Sequence, residues 1–256
     1  MAAGLPKTHQ QFEAPFTPPL QGERCGSRTR VLVQSSWKWG FRCVLCFISL
    51  SSLCSFAVRQ QLNASTTRTL AISEIASRPS SGVNIVCLGD SLTQGVGASR
   101  GHDYPSLLRQ VLGTAVINAG VDGDETADAL KRLESDVLAK DPRMVIVELG
   151  VNDFIDGQPL TRAFANLEEI TRRIEEQGAQ VVLVGMAPGP LGDALQPRYE
   201  TLIHKYHVAF VPKVLEDLWG NPHVMSGDHL HPNDAGYALI AERIQRVVEP
   251  LLRQQP

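Results

Sequence analysis

The sequence predicts an α/β domain in which helices cover both faces of a parallel sheet. From Val83 to about Leu252, short apolar runs alternate with amphipathic stretches, and this alternation is typical of a parallel sheet. The region has roughly 170 residues, enough for one well-buried domain. Polar residues that can carry chemistry follow several of the apolar runs. In such folds ligands bind outside the carboxyl ends of the strands, so we expect the functional site there.

Five apolar runs predict the strands: Val83–Leu88, Ala115–Asn118, Met144–Leu149, Gln180–Met186 and Ala209–Val211. Stretches with apolar residues at helical spacing predict the principal helices: Tyr104–Leu112, Thr126–Leu138, Leu160–Gln177, Leu195–Tyr206 and Asn233–Leu252. Because each strand is followed by a helical pattern, the strands are expected to run parallel and to be buried on both faces.

The charge distribution gives no support for a nucleic-acid partner. The chain carries 24 Lys and Arg and 27 Asp and Glu, for a formal net charge of −3. Its basic residues are scattered, whereas a nucleic-acid interface needs them clustered in a patch or stripe. We therefore expect no nucleic-acid partner.

An apolar block, residues 43–58, interrupts an N-terminal segment that is otherwise rich in Pro, Gly, Gln and Ser. As a helix it would be about 24 Å long, short of the roughly 30 Å hydrocarbon core of a bilayer. This length, with small residues at Ser55 and Ala57, favours an export signal cleaved before Val58. The long upstream segment leaves an uncleaved anchor as the alternative, which would bring the chain into contact with a membrane. We expect the protein to be exported, periplasmic or secreted, or membrane-anchored.

The chain is thus expected to have three parts. Residues 1–58 are expected to form an N-terminal extension, residues 59–82 a polar linker, and residues 83–256 the α/β domain. Four of the five cysteines lie in the extension, and Cys87 alone lies in the domain. A disulfide within the domain is therefore excluded.

Ser91 is the candidate nucleophile because Gly89-Asp90-Ser91-Leu92 directly follows the first predicted strand. A serine at this turn has its Oγ at the carboxyl edge of the sheet. Its backbone N–H is one of the unpaired donors at the start of the next helix, so one residue can supply both attack and oxyanion stabilisation. Taken alone, the tetrapeptide fits an ordinary helix N-cap equally well.

Asp228 and His231 are the candidate partners of that serine. Because the two residues are three positions apart on a tight turn, the carboxylate can accept the Nδ1 proton of the imidazole while Nε2 faces Ser91. Two alternatives use the same residues: a helix-start cap, and a metal site formed by Asp228, His229 and His231.

Two further motifs predict the oxyanion donors. Gly120 ends the second strand, where its N–H can approach a substrate closely, and Asn152 presents a neutral side-chain amide after the third. Together with the Ser91 N–H they would make three donors. Each motif alone could be a turn, but four of them in this order favour a catalytic site.

These motifs resemble the four sequence blocks of the GDSL-type SGNH hydrolases: Gly89-Asp90-Ser91-Leu92, Gly120, Gly150-x-Asn152-Asp153 and Asp228-x-x-His231-Pro232. The resemblance covers essentially residues 83–252 and is greatest to the bacterial periplasmic arylesterases, acyl-CoA thioesterases and lysophospholipases. It implies a three-layer α/β/α, flavodoxin-like domain with a five-stranded parallel sheet. It also implies a Ser91, His231 and Asp228 triad and no cofactor.

The resulting hypothesis is a serine esterase that hydrolyses carboxylic esters or thioesters through an acyl-enzyme. We expect a small acyl ester, a thioester or a lysolipid as substrate. Phe154, Ile155 and Pro188 are expected to line an apolar acyl groove. The alternative is a carbohydrate or small-molecule O-deacetylase, which would use the same catalytic residues with a more polar pocket. The sequence predicts no oligomeric state.

Overall fold

A computed structural model of the chain describes residues 82–186 and 189–253. Five parallel strands form one sheet in the order β2-β1-β3-β4-β5. In chain order the strands are β1 (Asn84–Gly89), β2 (Val116–Gly120), β3 (Pro142–Glu148), β4 (Gln180–Val184) and β5 (Ala209–Val211). The predicted α/β fold with a five-stranded parallel sheet is confirmed.

Seven α-helices occur in the described residues: α1 (Ser91–Gln94), α2 (Tyr104–Leu112), α3 (Thr126–Asp136), α4 (Val151–Ile155), α5 (Leu160–Glu176), α6 (Gly189–Tyr206) and α7 (Asp234–Arg253). A 3₁₀ turn, Leu138–Lys140, precedes β3. The sequence analysis began α6 at Leu195, but the helix begins at Gly189. The glycines and prolines at its start hide the helical periodicity, although proline fits the first turn of a helix.

The core consists of two apolar layers, one on each face of the sheet. Along β1, Ile85 and Cys87 belong to the layer formed with α2 and α7. Val86 and Leu88 belong to the layer formed with α3 and α5. Alternating residues of a strand point to opposite faces, so β1 is buried on both sides. This explains why the strands read as continuous apolar runs in the sequence.

The register of the sheet aligns three strand ends. Gly89 at the end of β1 pairs with Gly120 of β2 on one side and with Glu148 of β3 on the other. The strand order reverses at β1, and the resulting crevice is the usual ligand site of such sheets. The loops that follow β1, β2 and β3 therefore meet at one edge.

The loop between β5 and α7 reaches the same edge and is closed by an isolated antiparallel bridge between Met225 and Pro232. Within the described ranges, no helix has the length and apolar character needed to cross a membrane. The predicted signal or anchor at residues 43–58, and nearly all of the predicted linker, lie outside those ranges.

Candidate active site

The nucleophile turn leaves the hydroxyl of Ser91 available for chemistry. Asp90 is the N-cap of α1, and its Oδ1 accepts a hydrogen bond from the backbone N of Leu92 at 3.0 Å. The capping function that the sequence could not separate from catalysis thus belongs to Asp90. Ser91 is nearly buried, and its Oγ faces His231.

Ser91, His231 and Asp228 form a continuous chain of hydrogen bonds. The Oγ of Ser91 lies 3.0 Å from Nε2 of His231. The Nδ1 of the same ring lies 2.7 Å from Oδ2 of Asp228. These are the contacts that an activated serine needs: a base on the hydroxyl and an acceptor that orients the base.

The carboxylate of Asp228 is held by the turn that carries it. Its Oδ1 accepts from the hydroxyl of Ser226 at 2.6 Å, and from the backbone N–H groups of Leu230 and His231 at 2.9 Å each. Partial burial opposes ionisation, but the hydrogen bonds from Ser226, the His231 ring and the backbone outweigh it. They hold the pKa of Asp228 well below its ordinary value, so the residue is a carboxylate whenever the histidine can act as a base.

The metal alternative receives no geometric support from this turn. Both oxygens of Asp228 are engaged by the hydrogen bonds given above. Across residues 82–186 and 189–253, no three His, Cys, Asp or Glu side chains are grouped so that they could hold a metal ion.

Asn152 lies next to Asp90, the residue that precedes Ser91. It belongs to α4, directly after β3, and its Nδ2 donates to the carbonyl of Asp124 at 2.9 Å. A second, longer contact of 3.4 Å joins Nδ2 to Oδ2 of Asp90. At this length the second contact is weak, so one N–H of the Asn152 amide is only loosely engaged. The backbone N–H of Ser91 has no acceptor in the described part of the chain.

Gly120, which the sequence predicted as an oxyanion donor, has its backbone N–H engaged in another hydrogen bond. Its N–H donates to Oδ1 of Asn118 at 2.9 Å, so this donor is already engaged. Its Cα packs closely on α1: a methyl group there would lie 2.1 Å from the backbone N of Gln94. Gly120 is therefore needed for the close approach of β2 to the helix that carries Ser91.

Gly123 is a candidate oxyanion donor that the sequence analysis did not name. It lies in the turn closed by the N–H of Asp124 donating to Val121, with a φ of 79°. Its own N–H has no partner among the residues described, and the next residue accepts from Asn152. The dipeptide Asp122-Gly123 is a turn signature that could have drawn attention to this position.

An apolar cleft opens beside Asn152. It has a volume of about 380 Å³, including space open to solvent, and lies among α4, α5, α6 and the ends of β3 and β4. The lining residues are Leu149, Gly150, Val151, Phe154, Leu160, Ala163, Phe164, Leu167, Met186, Leu195 and Tyr199. Of the predicted substrate-binding residues, Phe154 lines this cleft, but Ile155 does not and is 61% exposed. Pro188 lies outside the described residues.

Comparison with known proteins identifies the family. The model of the GDSL-like lipase/acylhydrolase family matches residues 87–239, more than half of the chain. The chain belongs to this family. The resemblance stated from the sequence motifs is thereby confirmed, and the protein is a GDSL-family hydrolase of ester bonds.

Named relatives of this GDSL-family hydrolase include two bacterial enzymes. It is 29% identical to thioesterase 1/protease 1/lysophospholipase L1 of Escherichia coli, over 66% of this chain and 84% of the relative. It is 32% identical to the arylesterase of Vibrio mimicus, over 65% of this chain and 89% of the relative. The solved structure of TesA superposes with a TM-score of 0.62 at 27% identity, covering 66% of this chain and 99% of that one.

Beneath the nucleophile of this GDSL-family hydrolase lie two buried carboxyl groups. Burial raises the pKa of Asp90 to about 7, with the hydrogen bond from Leu92 opposing it. Burial and then the charge of Asp90 raise the pKa of Glu148 well above its ordinary value. Glu148 Oε2 accepts from the hydroxyl of Thr93 at 2.7 Å, whereas Oε1 has no partner. Burial therefore favours the protonated form of Glu148. The sequence signal was an acidic residue ending a buried apolar strand.

Proposed function

We propose that this chain is a serine esterase that cleaves esters or thioesters of apolar acyl groups. Ser91 is the nucleophile, His231 the general base and acid, and Asp228 the group that orients the histidine. One observation carries the proposal: these three side chains form a continuous chain of hydrogen bonds. The apolar cleft supports the choice of substrate, because Gly150 and Val151, which directly precede Asn152 in the chain, line it.

The reaction follows from the contacts of Ser91. As its Oγ bonds to the acyl carbon, the hydroxyl proton moves to Nε2 of His231, 3.0 Å away. The histidine then gives this proton to the oxygen or sulfur of the leaving group as that bond breaks, leaving an acyl-enzyme. A water attacks the acyl carbon in turn, its proton passes through His231 to the Oγ of Ser91, and the free acid departs.

Three donors, carried by the segments that follow β1, β2 and β3, are available to the negative charge that develops. They are the backbone N–H of Ser91, the backbone N–H of Gly123 and the second N–H of the Asn152 amide. Donors fixed before the reaction stabilise the oxyanion without reorganisation, and removing one typically costs about 100- to 1000-fold in rate.

The apolar lining of the cleft favours substrates with an acyl chain over acetylated sugars. Its walls are aliphatic and aromatic, and they include the edge-to-face pair of Phe164 and Tyr199, whose ring centroids are 5.1 Å apart. Such walls stabilise methylene groups, whereas a sugar needs polar partners. The relatives named thioesterase, lysophospholipase and arylesterase agree with this choice.

A substrate panel tests the proposal. The purified protein is assayed on p-nitrophenyl esters of increasing acyl length, acyl-CoAs, a lysophospholipid and acetylated sugars, with and without EDTA. We expect kcat/KM to increase with acyl length beyond acetyl and to be unaffected by the chelator. A preference for acetylated sugars would favour the O-deacetylase, and activity restored only by a divalent metal would favour the metal mechanism. Full activity of Ser91→Ala would refute both serine-based alternatives.

We further propose that residues 43–58 direct the protein out of the cytoplasm, as a cleaved signal or as a membrane anchor. The support is the apolar block with small residues at Ser55 and Ala57. Intact-mass analysis of protein from the native host distinguishes the two forms. A chain that begins at Val58 indicates a signal, the full chain in the membrane fraction indicates an anchor, and the full chain in the cytosol contradicts the proposal.

A further inference from the structure

Arg132 on α3 connects the ends of two strands at the edge of the sheet that carries the site. Its Nη2 donates to the carbonyl of Gly89 at 3.0 Å, at the end of β1. Its Nη1 donates to the carbonyl of Ala119 at 2.8 Å, near the end of β2. The side chain is only 15% exposed, so these contacts are largely shielded from water.

The same guanidinium also binds the turn that contains Gly123, one of the proposed oxyanion donors. Its Nε donates to Oδ2 of Asp124 at 2.6 Å, and Asp124 is itself only 10% exposed in its side chain. The carbonyl of Asp124 in turn accepts from Nδ2 of Asn152 at 2.9 Å. Residues 121–124 are thus held between Arg132 on one side and Asn152 on the other.

Neither a lysine nor a neutral side chain could replace these contacts. A guanidinium presents several N–H groups in a fixed planar arrangement and is always charged, whereas an ammonium is a compact point charge. The contacts of Arg132 point in three directions, to Gly89, Ala119 and Asp124, and a single ammonium group has no such planar arrangement. Without the arginine, the buried carboxylate of Asp124 would also lose its closest positive charge.

We propose that Arg132 is a positioning residue for the oxyanion side of the site. By fixing residues 121–124 against the end of β1, it holds the N–H of Gly123 and the amide of Asn152 where the substrate oxygen binds. It touches neither the substrate nor the reacting atoms. This inference rests on the proposed function, because it needs Ser91 as the nucleophile and these groups as donors.

Arg132→Ala and Arg132→Lys test the inference, with Ser91→Ala measured in parallel. Because misplacement of a reacting group by about 1 Å can cost about 100-fold in rate, we expect kcat to fall by about that factor in Arg132→Ala. KM should change little, because the acyl cleft is not touched. Arg132→Lys should recover only a small part of the loss. Added guanidinium ion, at concentrations far below those that denature, should partly restore Arg132→Ala, while an equal concentration of sodium should not.

Arg173→Ala is the matched control. Arg173 of α5 contacts Glu134 of α3 at 2.9 Å, and its side chain is about one-third exposed. Its hydrogen bond is thus to a surface glutamate, whereas those of Arg132 include the carbonyls at two strand ends. We expect the variant to affect Tm without affecting kcat. All rates are normalised to the fraction of folded protein, which separates a positioning role from simple destabilisation.

A double-mutant cycle with Asn152→Ala decides how Arg132 acts. If it positions the oxyanion donors, the double variant loses less than the product of the two single losses. Losses that simply multiply, or a wild-type kcat in folded Arg132→Ala, would overturn the inference. An inactive Ser91→Ala beside an unaffected Arg132→Ala would overturn this inference alone. An active Ser91→Ala would instead overturn the proposed function.

Discussion

At the scale of single residues, the carboxyl groups of Asp228 and Glu148 have pKa values that their surroundings shift in opposite directions. Asp228 lies on a turn rich in donors, which hold its pKa well below the ordinary value. Glu148 is fully buried beneath Ser91, where burial keeps its pKa far above the ordinary value. Opposite shifts of this kind favour the ionised form of one carboxyl group and the protonated form of the other. Only the anion can orient His231.

Asp228→Asn should keep the fold but lose most of the activity, by up to about 10⁴-fold as in another serine hydrolase. The amide oxygen can still accept from Ser226 and the turn, but the amide nitrogen would donate to Nδ1 of His231. Nε2 would then carry the proton and could not accept one from Ser91. The measurement is kcat/KM across pH for both proteins.

The lowered pKa of Asp228 determines the pH range in which its protonation can affect the protein. Because the pKa of Asp228 is lowered, its contribution to stability is present above the ordinary carboxyl pKa and is lost as pH falls towards the folded value. Protonation of Asp228 therefore cannot explain a loss of activity near neutral pH. An Asp228→Asn profile identical to that of the wild type would show that Asp228 is only a turn residue.

Glu148→Gln should reduce the loss of stability as pH rises. The folded state keeps protons on Asp90 and Glu148 that the unfolded chain releases near pH 4, so wild-type stability should fall from about pH 4 towards the folded pKa values, about 7 for Asp90. The neutral amide of the variant removes one of these two titrations. The measurement is Tm from about pH 5 to pH 8, a range that includes the folded pKa of Asp90.

The control for this experiment is Glu134→Gln, since Glu134 is 68% exposed on the surface of α3. We expect its Tm to follow pH as the wild type does. If Tm of Glu148→Gln also follows the wild-type curve, Glu148 is ionised in the folded protein and the description of a neutral acid beneath Ser91 is wrong.

At the scale of elements, the site exists because separate segments end at one edge. β1 delivers Ser91 to the start of α1, and β3 delivers Asn152 to α4. The loop after α1 is joined to the start of α7 by Ser99, whose N and Oγ donate to Asp234 at 2.7 and 2.6 Å. That contact links the segments that carry the nucleophile and the histidine.

Gly120→Ala tests whether Gly120 acts through packing. The variant keeps the backbone N–H but adds a methyl group 2.1 Å from the backbone N of Gln94. We expect α1 to be displaced from β2, with a loss of about 1–3 kcal/mol in the free energy of unfolding and a lower kcat. Both quantities are measured by denaturant unfolding and by ester hydrolysis.

Gly227→Ala is the companion variant, because a methyl group at Gly227 meets no atom within 4 Å. It should leave the unfolding free energy nearly unchanged. Stability close to the wild-type value in Gly120→Ala would mean that its Cα does not set the distance between β2 and α1.

Ala163→Phe on α5 tests the use of the cleft by the acyl chain. Ala163 is buried in the cleft wall, so the larger ring should occupy the space for the distal methylenes. We expect kcat/KM for an octanoyl ester to fall about tenfold or more, while the acetyl ester is nearly unaffected. Ala165→Phe, on the exposed side of the same helix, should behave as the wild type. Equal losses on both esters would show that the cleft does not hold the acyl chain.

At the scale of the whole molecule, periodicity was sufficient to predict the architecture. All five strands and the five longer helices were predicted, because buried parallel strands are continuous apolar runs and surface helices carry an apolar stripe. The start of α6 at Gly189 was missed, since Gly and Pro obscure helical spacing. The short helix α4 was missed because five residues carry no period.

The site itself was predictable only where local sequence encodes the geometry. Ser91, Asp228 and His231 lie in short motifs, and the structure brings them within hydrogen-bonding distance. The engagement of Gly120 by Asn118, and the free N–H of Gly123, depend on how a loop closes in three dimensions. The contacts of Arg132 span three segments, so no local pattern could reveal them.

The most direct test of the central claim is covalent trapping of the nucleophile. The protein is treated with diethyl p-nitrophenyl phosphate, which phosphorylates an activated serine as p-nitrophenolate departs, and the adduct is located by peptide mass spectrometry. We predict one diethylphosphoryl group per chain on the peptide that contains Ser91, with no adduct on Ser91→Ala and slow labelling of Asp228→Asn. An adduct on another residue with Ser91 unmodified, or unchanged labelling of Ser91→Ala, would contradict the account.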